Sequence, residues 1–527
     1  MFDKRYFLFD FARGRKLDKK EVTDLLDILV NCGYNGICLH LEGFFEMKSF
    51  PGAVREGYLK IEEAKWFCTE AHKRSMEVIP IINLVGHAEA FVYFQERFAD
   101  YRRDNEHFQM NLYDSKLAEL SKTIIDEVVE IFNPSYLHIG GDECALDEKE
   151  KKLYIKFLSQ MCEYVRNKGI KPCIWSDMLF EHKELIDDFT KQVTIFDWWY
   201  MGHRPESLEL FLDKSFTEIF ACPSDQGWDG FIGVQRKSPW PHAMPKDTRN
   251  VEADEIEAFL DDAAQLGIKN GLITNWENRC GHNLWSQLSS IARGGLYMID
   301  KEITEQNIEQ HLFGKHTPYT KISVILQNLQ KILYDAVLQN NLPELLKCRI
   351  SDAIFNKERL ISLITISPKI YGDIKEEFEK GLCEAEKLFE NWNADSLTED
   401  RCLRSLFSTL QYGKALFEAI KLGCKGYENY HKAALVQFEN QKDFCSLIKE
   451  VLRYTEDFEK ALRSFASAQI TAQTDCGEED DSYKIINTTD KTKDLISKLN
   501  RFIEEEGAPS NDTPVLISWQ KLFKETY

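Results

Sequence analysis

The chain has 527 residues, 43% hydrophobic and 29% charged, which is enough for a large core and for more than one domain. Its 66 Lys and Arg stand against 87 Asp and Glu, a net charge of −21. That charge argues against general nucleic-acid binding and against adsorption to anionic membranes. No apolar run approaches the roughly 20 residues of a membrane span. Met1-Phe2-Asp3-Lys4-Arg5-Tyr6 lacks a signal-peptide pattern, so a cytoplasmic location is expected. The 14 cysteines form no Cys-x-x-Cys pair and no zinc-finger spacing, which reads as reduced core or surface thiols.

From residue 6 to residue 300, short runs rich in Val, Ile, Phe and Leu alternate with amphipathic stretches. The runs at 6–12, 36–41, 77–85, 136–139, 172–176, 193–198, 218–222 and 271–275 read as strands. Helices fit 19–30, 61–74, 112–133, 147–167, 252–266 and 284–298. In 112–133, for example, Leu117, Leu120, Ile124, Val128 and Phe132 recur at three- and four-residue steps, one apolar face of a helix. Eight strands alternating with helices predict an α/β fold, a (β/α)8 TIM barrel over residues 1–300. A doubly wound open sheet is the alternative, but no Gly-x-Gly-x-x-Gly fingerprint follows the first strand.

Beyond residue 300 the strand runs stop, and 301–527 reads as an all-helical C-terminal domain. Ile322, Ile325, Leu326, Leu329, Leu333 and Val337 form one stripe, and Leu403, Leu406, Leu410, Leu416 and Ile420 another. Residues 433–465 read as one long helix and the acidic stretch 475–481 as an exposed loop. This domain fits a buttress or a homodimer surface.

Catalytic groups of a barrel sit at the C-terminal strand ends. Polar and aromatic residues there are Asp10, Arg13, Glu42, Asn83 and His87, then Asp142 and Glu143 after the fourth strand. Trp175, Asp177, Asp197, Trp198, Trp199, Tyr200, Ser224, Asp225, Trp228 and Asp229 come next, and Trp276, Glu277, Asn278 and His282 close the ring. Acids, aromatics and an arginine on one rim suit a sugar, whose rings stack on aromatic faces and whose hydroxyls bond charged groups. The stretch Tyr136-Leu137-His138-Ile139-Gly140-Gly141-Asp142-Glu143 joins a strand, two glycines and a paired acid. Neighbours on a strand point to opposite sides, so the two acids are expected to diverge, and the glycines to leave the backbone open to an approaching ring. A strand end with a glycine bulge and acids at a helix N-terminus is the plain structural alternative.

His138-Ile139-Gly140-Gly141-Asp142-Glu143 resembles the signature of glycoside hydrolase family 20, the β-N-acetylhexosaminidases. Asn111-Leu112-Tyr113-Asp114, Asn133-Pro134 and Asp10-Phe11-Ala12-Arg13 agree in order. Arg55-Glu56-Gly57-Tyr58, Gly86-His87-Ala88-Glu89 and Trp175-Ser176-Asp177-Met178 are similar to the hexosaminidase D-like branch. The resemblance implies a retaining exo-acting enzyme on terminal β-linked GlcNAc or GalNAc of a small glycan or glycoconjugate, with no cofactor and no metal. It implies that the substrate's 2-acetamido oxygen is the nucleophile, that Asp142 orients it and that Glu143 is acid and then base. Arg13 would bind ring hydroxyls, His87 and His138 would orient the acids, and Trp175, Trp276 and one of Trp198 or Trp199 would wall the acetamide pocket. Tyr200 or Trp228 would stand for the acetamide-contacting tyrosine; the family's acid on the outer hydroxyls falls one residue beyond Glu277, where this chain has Asn278, and Glu277 is the neighbouring candidate. The first strand begins at about Tyr6, so the small α+β domain that many members carry before the barrel is expected to be absent. Three rivals remain: a non-catalytic glycan-binding barrel, a metal-dependent hydrolase using His87, His138, Asp142 and Asp177, and a two-carboxylate glycosidase pairing Glu143 with an acid such as Glu277.

Overall fold

The computed structural model describes residues 1–12, 16–52, 58–92, 95–103, 109–200, 202–225, 255–276, 284–339, 357–436 and 441–476. Eight strands close into a barrel in sequence order. They are β1 (Lys4–Asp10), β2 (Gly36–His40), β3 (Glu77–Ile81), β4 (Tyr136–His138), β5 (Lys171–Trp175), β6 (Thr194–Trp198), β7 (Ile219–Cys222) and β8 (Asn270–Asn275). Every pairing is parallel, including β1 with β8. All eight expected strands are present; the third is shorter than its apolar run, which leaves the ladder after Ile81 and continues as a loop to His87.

Alternation along each strand sorts the side chains into two layers. Tyr6, Leu8, Cys38, Ile79, Ile81, Tyr136, Cys173, Trp175, Phe196, Phe220, Cys222 and Leu272 fill the interior, with Trp198 and Trp276 packed against them at the top. Their neighbours in sequence, such as Phe7, Phe9, Ile37, Leu39, Ile174 and Ile195, face the helices in the main apolar cluster. Register carries chemistry as well: Asp10 of β1 lies opposite His40 of β2.

The barrel floor is polar. Glu218 accepts from Lys4 Nζ at 2.8 Å, Tyr136 Oη at 2.6 Å and Lys171 Nζ at 3.0 Å. Burial works against this carboxylate, but the three donors overcome it and hold its pKa at about 2 instead of 4.5. Between those values the unfolded chain binds the proton that the folded chain refuses, so stability rises with pH across that window. The contribution of Glu218, roughly 2–3 kcal/mol, is expected to be complete above pH 4.5 and lost as pH falls through 2. Urea midpoints of wild type and Glu218→Gln should therefore differ most above pH 5 and converge in acid; a pH-independent gap would contradict the assignment.

The helix after β4, Glu148–Asn167, begins with a capping box. Asp147 accepts from the amides of Lys149 and Glu150, and Glu150 reaches back to the Asp147 amide at 2.9 Å, a device worth about 1 kcal/mol. Arg103 ties Glu150 at 2.6 Å and also donates to the Ala145 carbonyl, fixing the segment between the paired acids and this helix.

After the helix Leu284–Tyr297 the chain continues in helices Glu305–Phe313, Tyr319–Gln339, Lys357–Glu390, Leu397–Val436 and Gln441–Cys476. Ile322, Leu326, Leu329, Leu406, Leu410 and Ile420 join the same apolar cluster as the barrel's outer layer. Tyr319 Oη donates to the Trp285 carbonyl at 2.8 Å, and Arg401 pairs with Asp24 while its guanidinium lies 5.1 Å from the Trp285 ring centre. The single helix expected over 433–465 is instead two. Ala433 packs with Phe444 and Ile448. In one continuous helix residues 433 and 444 would stand about 16 Å apart, so the chain gains this contact by turning back. The acidic stretch after Cys476 lies outside the described residues. Among the described residues, no helix is long and apolar enough to cross a membrane.

Candidate active site

Three consecutive strands lead to a non-glycine residue in the left-handed region: Glu42 at φ 49° after β2, His87 at φ 48° after β3 and Glu143 at φ 47° after β4. Such conformations cost of order 1 kcal/mol or more each and collect where the backbone must aim a functional group. β4 ends at His138, so Asp142 and Glu143 stand on a turn rather than on a strand. Gly140 at φ 76° and Gly141 at φ 101° make that turn.

The space over both glycines is filled by the protein itself. A Cβ on Gly140 would lie 2.6 Å from Asn83 Oδ1, and one on Gly141 would lie 3.0 Å from Leu158 Cδ1 and from Tyr154 Oη. The expectation that they bare the backbone for a sugar ring is therefore replaced: positive φ and close packing require glycine here. Gly86 presses from the next loop, where a Cβ would meet the Asp142 carbonyl oxygen at 2.1 Å.

The turn gives the two acids different surroundings. The Asp142 side chain is 13% exposed and that of Glu143 59%. Asp142 Oδ1 is buried and has no hydrogen-bond partner among the described residues. Its Oδ2 lies 3.9 Å from His87 Nε2. Burial raises the pKa of Asp142, His87 opposes this, and the charge of Glu143 adds to the rise. Glu143 Oε2 lies 2.8 Å from His87 Nε2, and Glu89 Oε1 lies 3.6 Å from His87 Nδ1. His87 thus faces three carboxylates, and Asn83 fixes its backbone by donating to the His87 carbonyl at 3.0 Å.

Asp177, the residue after Ser176 at the end of β5, accepts from the Glu143 amide at 2.8 Å and from Trp198 Nε1 at 3.2 Å. Burial, with the negative charge of Asp142 next, pushes its pKa up to about 8. Deeper in the barrel, His40 Nδ1 lies 2.8 Å from Asp10 Oδ1, and its Nε2 lies 3.4 Å from Asn83 Nδ2 and 4.0 Å from Glu42 Oε1. All four residues are buried.

The other expected residues fall into three groups. Trp175, Trp198, Tyr200 and Trp276 share the barrel mouth with His138. Trp175 packs against His138 at 4.4 Å and Trp276 at 5.8 Å between ring centres. Trp276 Nε1 donates to Tyr200 Oη at 2.8 Å, and the Tyr200 ring lies 5.0 Å from that of Trp198. His138 is fully buried; its Nδ1 accepts from the Gly140 amide at 3.1 Å, and burial holds its pKa well below 6.5. It bonds the turn that carries the acids rather than touching them, and burial disfavours its charged form.

Trp199 faces the other way. It packs in the helix-side layer, 4.1 Å from the Arg204 guanidinium. Asp197 does likewise, accepting from Ser176 and Ser207, each at 2.6 Å. Both stand one residue out of phase with Phe196 and Trp198, whose rings face the interior. Asp225 is buried and accepts from Asn275 at 2.6 Å. Arg13, Trp228, Asp229, Glu277, Asn278 and His282 lie outside the described residues, as does Arg55-Glu56-Gly57. Among the described residues no three His, Cys, Asp or Glu side chains come together to hold a metal ion.

His40 was not among the expected site residues. The signal was there: it shares the inward face of the second strand with Cys38, and β1–β2 register places it opposite Asp10.

Part of this chain is similar to known proteins. Residues 5–226 match the model of the glycosyl hydrolase family 20 catalytic domain, a span that contains the whole 138–143 turn. A lacto-N-biosidase of Bifidobacterium bifidum is 23% identical over 209 residues, 36% of this chain and 18% of the relative. A beta-hexosaminidase of Porphyromonas gingivalis is 27% identical over 172 residues, 28% of this chain and 22% of the relative. The chain thus spans about a fifth of the length of these curated relatives. Among solved structures, the beta-N-acetylhexosaminidase of Bacteroides fragilis is 20% identical, with a TM-score of 0.43 over 56% of this chain and 65% of that one. The GH20 beta-N-acetylhexosaminidase of Streptomyces coelicolor is 14% identical, with a TM-score of 0.45 over 59% and 67%. Over residues 5–226, which run from the first strand through the seventh and hold the paired acids, the chain is similar to the glycosyl hydrolase family 20 catalytic domain.

Proposed function

We propose that this protein is a retaining exo-β-N-acetylhexosaminidase that removes terminal β-linked GlcNAc or GalNAc from a small glycan or glycoconjugate. The observation that carries the reading is the unequal pair: a largely enclosed carboxylate whose buried Oδ1 is unpartnered among the described residues, Asp142, directly before an exposed carboxyl held by a histidine, Glu143. An ordinary glycosidase needs one acid beside the leaving oxygen and a second group at the anomeric carbon. Here Glu143 fits the first role and Asp142 does not fit a freely exposed nucleophile. Its burial suits a partner that brings its own polar group, the 2-acetamido function.

The chemistry then runs in two balanced steps. The acetamido carbonyl oxygen attacks the anomeric carbon as the bond to the leaving oxygen breaks, and Glu143 gives that oxygen its proton. Asp142 accepts the acetamido N–H and stabilises the positive oxazolinium ring. Water next attacks the anomeric carbon from the face the aglycone left, while Glu143 takes its proton and the acetamide re-forms. Two inversions give net retention. His87, between both acids, keeps Glu143 directed toward the leaving group.

Purified protein is expected to hydrolyse aryl β-N-acetylglucosaminide, its galacto epimer, or both, with the β-anomer of the free sugar formed first by proton NMR. Absence of turnover on both epimers, or first formation of the α-anomer, would contradict the reading.

A further inference from the structure

Asp177 lies outside the Asp142–Glu143 pair, yet its two oxygens reach both neighbouring strand ends. One accepts the backbone N–H of Glu143 in the turn after β4, and the other accepts the indole N–H of Trp198 at the end of β6. Asp177 itself follows β5 and is 8% exposed. The amide it holds belongs to the left-handed residue of a turn in which Gly140 and Gly141 also have positive φ. A peptide in that conformation has few local partners, and its tilt sets where the Glu143 carboxyl points. We propose that Asp177 is a positioning residue: it locks the backbone of Glu143 and ties it to the Trp198 ring, so that the proton donor and one wall of the pocket are held as a unit. The proposal rests on the reading of Glu143 as proton donor.

The chemistry of the clasp is specific. Two N–H groups need two acceptor oxygens, which an ionised carboxylate supplies. An asparagine supplies one acceptor, and its NH2 would face the second donor. Asp177→Asn therefore keeps the shape and breaks one arm. A residue that only supports the fold would, when altered, slow all substrates alike. A residue that aims the proton donor matters in proportion to how badly the leaving oxygen needs the proton.

The test is a series of aryl β-N-acetylglucosaminides, from 2,4-dinitrophenyl, which leaves as a stable anion, to unsubstituted phenyl, which does not. Asp177→Asn is expected to lower kcat/KM about 10²-fold on the phenyl substrate, the scale of a misplaced catalytic group, and to change it little on the dinitrophenyl one. Equal losses along the series, or none, overturn the role of Asp177 while leaving the hexosaminidase reading standing. No turnover of any member by the wild type overturns that reading and this proposal with it. In a Trp198→Phe background one donor is gone, so the oxygen of an Asp177→Asn side chain is free to turn to Glu143. The double variant is expected to regain the leaving-group dependence of Trp198→Phe alone. If Asp177→Asn does not fold by itself, Asp177→Ala in the same background supplies the contrast. It offers Glu143 no acceptor and should depend more steeply on the leaving group than the Asn double variant. Equal slopes overturn the proposal.

Discussion

Glu143→Gln is expected to lower kcat/KM on phenyl β-N-acetylglucosaminide by about 10²–10⁴-fold, the usual range for loss of a general acid. On the 2,4-dinitrophenyl substrate kcat/KM should fall little, because that leaving group departs without a proton. Its kcat should still drop, since water then attacks the intermediate without a base. In the proposed mechanism the split arises because Glu143 would have two jobs in sequence. Its place accounts for the first: an exposed carboxyl on a left-handed turn, bonded to His87 at 2.8 Å, reaches outward to a leaving group rather than inward to the ring. The side chain is open to solvent, so the variant should unfold close to the wild-type temperature. Loss of folding rather than of rate would remove the basis of the assignment.

Asp142→Asn should cost about 10²–10³-fold in kcat, comparable to removing an electrostatic stabiliser aimed at transition-state charge. Here stability and activity should move apart. The folded protein buries Asp142 with an oxygen that has no partner among the described residues, and burial raises its pKa. A neutral amide removes the cost of burying that charge, so the melting temperature of Asp142→Asn should equal or exceed that of the wild type near neutral pH. A carboxylate kept for structure would give the reverse. Parallel loss of activity and melting temperature would therefore contradict the role given to Asp142.

Much of this architecture is legible in the chain because alternating strands and helices repeat eight times, each with its own apolar period. The end of β4 is less so. Tyr136 to Ile139 reads as a strand, but the turn from Gly140 to Glu143 is set by three positive φ angles, and only the two glycines announce them. Glu143 adopts the same region as a non-glycine, its amide bonded to Asp177 in the segment after β5. No local pattern encodes that.

The rim illustrates a different gap. Residue type alone put Asp197, Trp198 and Trp199 together. Alternation separates them: Trp198 meets Asp177 at the barrel mouth, while Asp197 and Trp199 face serines and an arginine under the helices. Strand phase was readable from Phe196, the large apolar residue two before Trp198. His40 shows the converse. Its partner Asp10 is 30 residues away and becomes visible only when the β1–β2 register is known. The resemblance around His138–Glu143 pointed to these two acids, and the structure gives them unequal surroundings.

The central claim is that the substrate's acetamide, held by Asp142, is the nucleophile. It is tested most directly by kcat/KM on one aryl glycoside whose N-acetyl group carries zero, one, two or three fluorines. Fluorine withdraws electrons from the carbonyl oxygen without reaching Glu143. Substrate assistance predicts a steep, progressive fall across the four compounds, ending near zero for the trifluoroacetyl member. A flat series would mean that the oxygen does not attack, and that another group, from the protein or from water, forms the new bond.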